Sequence, residues 1–261
     1  MSDRIWMIEE GAGPFVATAI HDGHEVREDA LRRMALDESS RLREEDPWTA
    51  GWTAVAPTRV VGLRSRFEVD LNRPREKAVY LTPDDAWGLE VWNGELPPEV
   101  AGRSLAEYDA FYATLRELYA ELAARHGRFV VFDLHTYNHR RDGPDSPEAD
   151  PQANPQVNVG TGTMSDRTAW APVIDRFVAD LSAFDFPGGA LDVRENIRFR
   201  GGHHGRWAHE TFPEAACVLS IEVKKFFMNE WTGEVDPHLL RAVGRALDST
   251  VPGILEELAG L

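Results

Sequence analysis

The sequence predicts an α/β fold, a single domain in which a mixed, mostly parallel β-sheet is flanked by helices. Short β-rich runs alternate with amphipathic stretches, the order expected when helices pack on the faces of a sheet. Phe129-Val-Val-Phe132 is the most continuously apolar run and suits a central strand buried on both faces. The chain has 261 residues, 43% of them hydrophobic, which is enough for a sizeable core, and we expect residues 1–261 to form one domain.

The same patterns place the individual elements along the chain. Strands are predicted over 14–20, 53–63, 67–71, 128–134 and 217–224, and helices over 28–43, 168–182 and 237–247. A further helix is predicted around Ser104-Leu-Ala-Glu107, which has the spacing of a capping box. Its apolar stripe ends before Gly127 and consists of Leu105, Tyr108, Tyr112, Leu115, Tyr119 and Leu122.

One long segment, from His139 to Thr163, changes in composition to Asp, Pro, Asn, Gln and Gly. A loop of this length is uncommon in a compact domain unless it has a function, so we expect it to line or cover a site. The sequence has neither a glycine-rich phosphate fingerprint nor cysteine pairs for structural zinc. Nucleotide binding is therefore unsupported.

Charge and composition limit the partners. The formal net charge of −16 disfavours nonspecific binding to nucleic acid or to an anionic membrane surface, so we expect a small-molecule partner. No run approaches the ~20 apolar residues of a membrane span, and the first residues lack the pattern of a leader. The single cysteine, Cys217, lies in an apolar run and suits a buried thiol. These features predict a cytoplasmic protein and leave its oligomeric state open.

Two histidines end candidate strands. His21 precedes Asp22-Gly23, and His135 follows the run that ends at Leu134. Open α/β sheets bind ligands at strand ends, and neutral imidazole is a preferred zinc ligand. Asp133 shares a face with His135 and is suited to orient it. Either histidine alone is more often an ordinary strand-end residue, but the pair favours a mononuclear metal site.

The residues alone do not decide which side chain is the third metal ligand. His24 stands three positions after His21, the H-x-x-H spacing, whereas Glu45 and Asp46 end a basic helix and offer carboxylate oxygens. A charged run at a helix end is more often a solvated surface.

Arg64, Arg66 and Arg73 place guanidinium groups around a short predicted strand, with Asn72 beside the last of them. Because arginine pairs bidentately with carboxylates, this segment predicts a carboxylate substrate. The alternative interpretation is surface salt bridging.

Glu222 is an acid within an apolar strand. Such a carboxylate is suited to act as a general base toward water, and the alternative is an ion pair with Lys224 or Lys225.

These elements occur in the order seen in N-formylglutamate amidohydrolases, which the sequence resembles from about Ile20 to Glu234. The resemblance rests on Ile20-His-Asp-Gly23, Glu45-Asp46, Ser65 to Arg73, Asp133-Leu-His135, Gly201-Gly202 and Ile221-Glu-Val223. The Asp-Leu-Asn-Arg and Asp-Leu-His elements also resemble aspartoacylase and, more distantly, zinc carboxypeptidases. This resemblance implies a zinc-carboxypeptidase-like fold.

The resemblance also implies roles for individual residues. Zinc, or another divalent ion, would bind His21 and His135. Aspartoacylase and zinc carboxypeptidases have a glutamate at the position of His24, whereas formylglutamate hydrolases have a Glu-Asp pair, so Glu45 is favoured as the third ligand over His24 and Asp46.

Catalysis and substrate binding would use four further residues. Glu222 would activate water and protonate the leaving nitrogen, and Arg66 would polarise the scissile carbonyl. Arg73 and Asn72 would hold the substrate carboxylate. His203 and His204 depart from the family pattern, and we expect them to fill a polar loop rather than to contact substrate or transfer protons.

The expected function is that of a zinc-dependent amidohydrolase that cleaves a small N-acyl amino acid such as N-formyl-L-glutamate. One alternative is a carboxypeptidase or amidase acting on peptide or peptidoglycan fragments, with segment 139–163 beside an open cleft. The other is a noncatalytic ligand-binding relative that keeps the metal pocket. The exact acyl group and the physiological metal are left open by the sequence.

Overall fold

A computed structural model describes residues 5–261, in which seven strands form one mixed sheet of order β1-β3-β2-β4-β7-β5-β6. The central neighbours β3, β2, β4 and β7 are parallel, as are β5 and β6, whereas β1 and β5 run antiparallel to β3 and β7. The predicted mixed, mostly parallel sheet is therefore confirmed. The strands are Trp6–Glu9 (β1), Phe15–Ala19 (β2), Thr58–Gly62 (β3), Phe129–Tyr137 (β4), Val157–Gly160 (β5), Val193–Glu195 (β6) and Ala216–Lys224 (β7).

Helices cover both faces of this sheet. Their bounds are Glu28–Leu31 (α1), Glu38–Glu44 (α2), Thr49–Trp52 (α3), Pro98–His126 (α4), Ala171–Ala183 (α5), His203–Thr211 (α6) and Pro237–Ala259 (α7). Among the helices of residues 5–261, none has both the length and the apolar character that a membrane crossing requires.

The central strand β4 is apolar throughout because it is buried from both sides. Val130 and Phe132 pack in a core cluster with α5 and α7, whereas Phe129 and Val131 pack in a second cluster with α4. Successive side chains of a strand point to opposite faces, so each face receives alternate residues. The continuous apolar run that suggested a central strand has this physical origin.

The long pairing of β4 with β7 brings two predicted site residues together. The register runs from Phe129 opposite Ala216 to Tyr137 opposite Lys224, and it places His135 opposite Glu222. Both residues lie near the carboxyl ends of parallel strands, where α/β sheets bind ligands.

Two predicted strands differ from the structure. Of the span 53–63, only Thr58–Gly62 is a strand, and Thr53–Val55 is a short 3-10 helix. Residues 67–71 form no strand, although Phe67, Val69 and Leu71 are all buried. Val69 and Leu71 pack in the core cluster with α4, so the apolar content of this segment reflects burial against that helix and the sheet rather than pairing in the sheet.

The predicted helices differ mainly in their ends. The span 28–43 is divided into α1 and α2 because the Asp37 side chain accepts a hydrogen bond from Ser40 N and starts a new helix. Helix α4 begins at Pro98, so Ser104 is not its cap; it is buried inside the helix, where it accepts a hydrogen bond from Arg27. Helix α7 continues to Ala259, beyond the predicted end at 247.

Several elements were not predicted at all. Segment 139–163 contains β5, which pairs with β7, so only part of this segment is the expected loop. Strands β1 and β6 have only four and three residues, too few for a clear alternation of apolar residues. His203 and His204 begin helix α6 instead of filling a polar loop, so that expectation is wrong.

Candidate active site

Three buried side chains meet at the carboxyl edge of the sheet. His21 follows β2, His135 lies in β4 and Asp46 follows α2, and one ligand atom from each lies within 4.8 Å of the others. Asp46 Oδ2 is 2.9 Å from His135 Nδ1 and 3.4 Å from His21 Nδ1. The two histidines are neighbours because β2 and β4 are adjacent and parallel.

Asp46, rather than Glu45, belongs to this group. The Asp46 backbone N–H donates to the His21 carbonyl at 3.0 Å, and the Thr136 hydroxyl donates to Asp46 Oδ1 at 3.1 Å. The Glu45 carboxylate instead lies 2.5 Å from His24 Nδ1 and accepts a hydrogen bond from the Ser65 hydroxyl.

This geometry corrects the preference for Glu45 as the third ligand. The chain leaves α2 in an extended conformation at Glu45, so the side chains of successive residues point to opposite sides. Of the two carboxylates, only Asp46 points toward His21 and His135. His24, the other alternative, pairs with Glu45 outside the group.

The outer nitrogens of both histidines face buried carboxylates. His21 Nε2 is 2.7 Å from Asp70 Oδ1, and His135 Nε2 is 3.2 Å from Asp133 Oδ2. A carboxylate accepts and never donates, so it favours a proton on the nitrogen that faces it. With the proton on Nε2, each Nδ1 would be able to offer its lone pair to a metal ion beside Asp46, as in histidines that bind a metal ion.

The donor set of His21, Asp46 and His135 fits a divalent metal ion. Two imidazole nitrogens and one carboxylate oxygen match a common three-ligand set of catalytic zinc sites. Burial would raise the pKa of the Asp46 carboxyl, but hydrogen bonds and charge from His135 and His21 hold that pKa well below its usual range. Asp46 is therefore an ionised oxygen donor between two imidazoles.

Glu222 lies beside this group on β7, and burial raises the pKa of its carboxyl to about 7. The expected alternative, an ion pair with Lys224 or Lys225, is not found among residues 5–261: no nitrogen of either lysine lies within 4.0 Å of the Glu222 carboxylate. Lys225 Nζ donates instead to the carbonyl oxygens of Arg43 and Glu45, at 2.6 and 2.8 Å. Lys225 therefore holds the segment that presents Asp46.

These groups line one cavity of about 810 Å³, which is rich in cations. In a chain with a net charge of −16, this concentration of positive charge indicates an anionic ligand. The lining cations are Arg66, Arg73, Arg141, Arg198, Arg200, Arg206 and Lys225.

Arg66 and Arg73 stand on the wall nearest His21. Arg66 donates to Asp70 Oδ2 at 2.8 Å, and its guanidinium lies over the Trp87 ring at 4.9 Å. The Arg73 side chain is 39% exposed and only approaches Asp70, at 3.9 Å. Arg66 is thus held in place, while Arg73 is more available to a ligand.

Asn72 is partly used by the protein itself. Its amide oxygen accepts a hydrogen bond from His204 N at 2.9 Å, and its amide nitrogen lies 3.3 Å from His135 Nε2, so a ligand would share that nitrogen with His135. His203 lines the cavity, whereas His204 is fully buried behind it.

Arg198, Arg200, Arg206 and Trp87 also line the cavity and were not predicted from the sequence. These residues come from separate loops and from α6, and no spacing in the sequence connects them. Arg141 could have been predicted as a cavity residue, because it lies in the polar segment 139–163 that was expected to line a site.

The family model described as N-formylglutamate amidohydrolase matches residues 13–228. No curated protein sequence gave a match.

Two solved structures share the fold. An N-formylglutamate amidohydrolase from Ralstonia eutropha JMP134 aligns with a TM-score of 0.74 and 15% identity over 98% of this chain and 99% of that one. A gene product of Agrobacterium tumefaciens aligns with a TM-score of 0.64 and 16% identity over 97% of this chain and 96% of that one. The family match covers most of the sequence, and the chain therefore belongs to the N-formylglutamate amidohydrolase family of hydrolases.

Proposed function

We propose that this protein is a metal-dependent hydrolase that cleaves the amide bond of a small, acidic N-acyl amino acid, with N-formyl-L-glutamate as the first candidate. The observation that carries the proposal is the shared cavity: His21, Asp46 and His135 face the same space as Glu222 and a set of arginines. Family membership supplies the reaction class, and the cavity supplies groups suited to each step.

His21, Asp46 and His135 would hold the metal ion, with zinc as the first candidate. A bound divalent ion supplies Lewis acidity, which polarises a carbonyl group and makes water more acidic. Asp70 and Asp133 keep the two imidazoles oriented toward Asp46. Other divalent ions that accept nitrogen and oxygen ligands also suit this set, because affinity order alone does not select zinc.

Glu222 is the proposed general base and acid. Its carboxylate takes a proton from the attacking water as the new C–O bond forms, and it returns that proton to the amide nitrogen as the C–N bond breaks. A carboxyl with a pKa raised to about 7 is suited to both transfers near neutral pH. The products are a carboxylic acid and a free amine.

Arg66 and Arg73 are proposed to act on different parts of the substrate. Arg66 is held by Asp70 beside the metal group, a position suited to stabilise negative charge that develops on the carbonyl oxygen. The more exposed Arg73 would pair with a substrate carboxylate, with the Asn72 amide nitrogen as a second donor.

The remaining cavity arginines favour a second anionic group on the substrate. In the described part of the chain, no carboxylate lies within 4.0 Å of the guanidinium groups of Arg198, Arg200 or Arg206. Charges left available in a cavity attract a complementary ligand. A dicarboxylic amino acid such as glutamate could pair one carboxylate with Arg73 and the other with these arginines.

A second candidate substrate follows from the size of the cavity. A volume of about 810 Å³ lies in the range that holds drug-sized ligands, which are larger than N-formylglutamate. An N-acylated acidic peptide would fill more of this space with the same chemistry.

The proposal is tested by measuring metal content together with formate and glutamate released from N-formyl-L-glutamate, with and without chelator. We expect about one divalent ion per chain and release that chelator abolishes. Activity that survives complete metal removal would reject metal dependence. Bound metal without hydrolysis of N-formylglutamate or N-acylated acidic peptides would instead favour a noncatalytic ligand-binding relative.

A further inference from the structure

Asp133 is a fully buried carboxylate that contacts more than the candidate metal ligand. Its Oδ2 lies 3.2 Å from His135 Nε2. Its Oδ1 accepts a hydrogen bond from the Thr18 hydroxyl at 2.8 Å and lies 2.9 Å from His204 Nδ1. One carboxylate thus stands between two imidazoles.

His204 reaches Asp133 from helix α6, and it too is fully buried. Within residues 5–261, His204 Nδ1 is a buried nitrogen without a hydrogen bond of good geometry, and Asp133 Oδ1, at 2.9 Å, is the carboxylate oxygen that faces it. On the opposite side of the ring, Nε2 lies 3.0 Å from the hydroxyl of Tyr119, a buried residue of α4. His204 is therefore held from both sides.

The donors and acceptors around His204 favour one direction. Because an ionised carboxylate can only accept, the His204 nitrogen that faces Asp133 needs a proton to bond it. A neutral His204 then has a lone pair on Nε2, which can accept the Tyr119 O–H. At His135, Asp133 Oδ2 lies 3.2 Å from Nε2 and favours a proton there, and the Asn72 amide nitrogen lies 3.3 Å from the same atom. A proton on Nε2 leaves Nδ1 able to bind a metal ion beside Asp46.

We propose that His204 is a positioning residue for His135, acting through Asp133, and that Tyr119 selects the tautomer of His204 that does so. This inference rests on the proposed metal site. With His204 and Thr18 on Oδ1, the carboxylate keeps Oδ2 toward His135, and the His135 lone pair keeps its direction toward the metal. Partners of this kind typically change metal affinity by 10- to 100-fold.

The first turn of α6 also connects to the other histidine. The His204 backbone N–H donates to Asn72 Oδ1 at 2.9 Å, and Asn72 N donates to Asp70 Oδ1 at 2.7 Å, the atom that faces His21. A Cβ on Gly202 would lie 2.3 Å from the Asn72 amide, so only glycine allows this close approach. Helix α6 therefore contacts the supports of both histidines.

The test compares zinc affinity in three variants, measured by competition with a chromogenic chelator. His204→Leu removes both ring contacts and is expected to weaken zinc binding about 10- to 100-fold. His204→Asn keeps an N–H donor near the Nδ1 position and should restore most of the affinity. The matched control is His209→Leu, which removes another buried histidine of helix α6. His209 bonds Val218 N and the Thr163 hydroxyl and does not contact Asp133.

A second measurement addresses the tautomer and does not depend on metal or activity. Nitrogen-15 NMR of the metal-free protein should show His204 protonated on Nδ1 in the wild type and a mixture of tautomers in Tyr119→Phe. The Tyr119→Phe protein should also bind zinc more weakly than the wild type, by less than His204→Leu does. This variant provides the test if His204→Leu fails to fold.

The outcomes separate this inference from the proposed function. If the wild type binds no divalent ion, the metal-dependent function itself is wrong. If the wild type binds zinc and His204→Leu binds it equally tightly, the positioning role alone is wrong. An equal loss of affinity in His204→Leu and His209→Leu would also overturn it, because the effect would then come from a weakened helix.

Discussion

Asp70 and Asp133 each face the Nε2 atom of one candidate metal-ligating histidine, at 2.7 and 3.2 Å, yet the two carboxylates have different surroundings. Asp70 is bonded to Arg66, to the Tyr80 hydroxyl and to a backbone N–H, and Arg66 itself lines the cavity. Asp133 is bonded to Thr18 and faces His204, and neither of these residues lines the cavity.

This difference separates two tasks that one metal site requires. On the His21 side, the support of the ligand and the proposed substrate contact share a residue, because Arg66 touches both Asp70 and the cavity. On the His135 side, Asp133 and its partners Thr18 and His204 lie away from the cavity and only hold geometry, while the cavity residue Asn72 lies 3.3 Å from His135 Nε2. Changes at Asp70 should therefore affect metal and substrate together, and changes at Asp133 should affect the metal alone.

The largest effect is expected for a substitution of Asp46, which lies between His21 and His135. Asp46→Asn removes the charged oxygen donor between the imidazoles and should abolish stoichiometric metal binding and hydrolysis. Its matched control is Glu45→Gln, the neighbouring carboxylate, which lies against His24 and should retain metal. Elemental analysis of both purified variants makes the comparison, and the opposite result would restore Glu45 as the ligand.

Glu222→Gln should separate chemistry from metal binding. The loss of a general base that acts on water is expected to lower kcat by about 10²- to 10⁴-fold, while metal content stays at the wild-type level. Single-turnover kinetics and elemental analysis of the same sample provide the measurement. A variant with wild-type turnover would show that Glu222 is not the base.

The paired variants Asp70→Asn and Asp133→Asn test the comparison directly. Each should weaken metal binding about 10- to 100-fold, because each removes the acceptor behind one histidine. At saturating metal, Asp70→Asn should lower kcat more than Asp133→Asn does, since it releases Arg66 from its place beside the metal group. Equal kcat values in the two variants would mean that the two sides do not differ in function.

A smaller effect is expected at Arg73. Arg73→Ala removes one charged hydrogen-bonding partner of the substrate, worth about 1.5–3 kcal/mol, so KM should rise about 10- to 100-fold with little change in kcat. Arg75→Ala is the control, since that arginine pairs with Asp109 on the exposed surface. An unchanged KM in Arg73→Ala would place the substrate carboxylate on the other arginines.

The parts of the fold and site that could be predicted from sequence are those with local patterns. The apolar runs identified β4 and β7, and the histidine and glutamate at their ends followed directly. In contrast, the apolar segment 67–71 is buried without strand pairing, because packing against α4 leaves the same local pattern as pairing in a sheet.

The remaining site residues depend on contacts that are distant in sequence. The choice of Asp46 over Glu45 follows from the backbone direction where α2 ends, which composition does not encode. His204 looked like a polar loop residue, and its burial depends on Tyr119 and Asp133, which lie on other elements. The cavity residues Arg198, Arg200 and Arg206 were missed for the same reason.

The central claim is that His21, Asp46 and His135 bind one divalent ion on which hydrolysis depends. The most direct test titrates metal-free protein with zinc while formate release from N-formyl-L-glutamate is followed. The account predicts no release without metal, a rise that ends at about one equivalent per chain, and no rise in Asp46→Asn. Full activity before any metal is added, or an equal rise in Asp46→Asn, would contradict it.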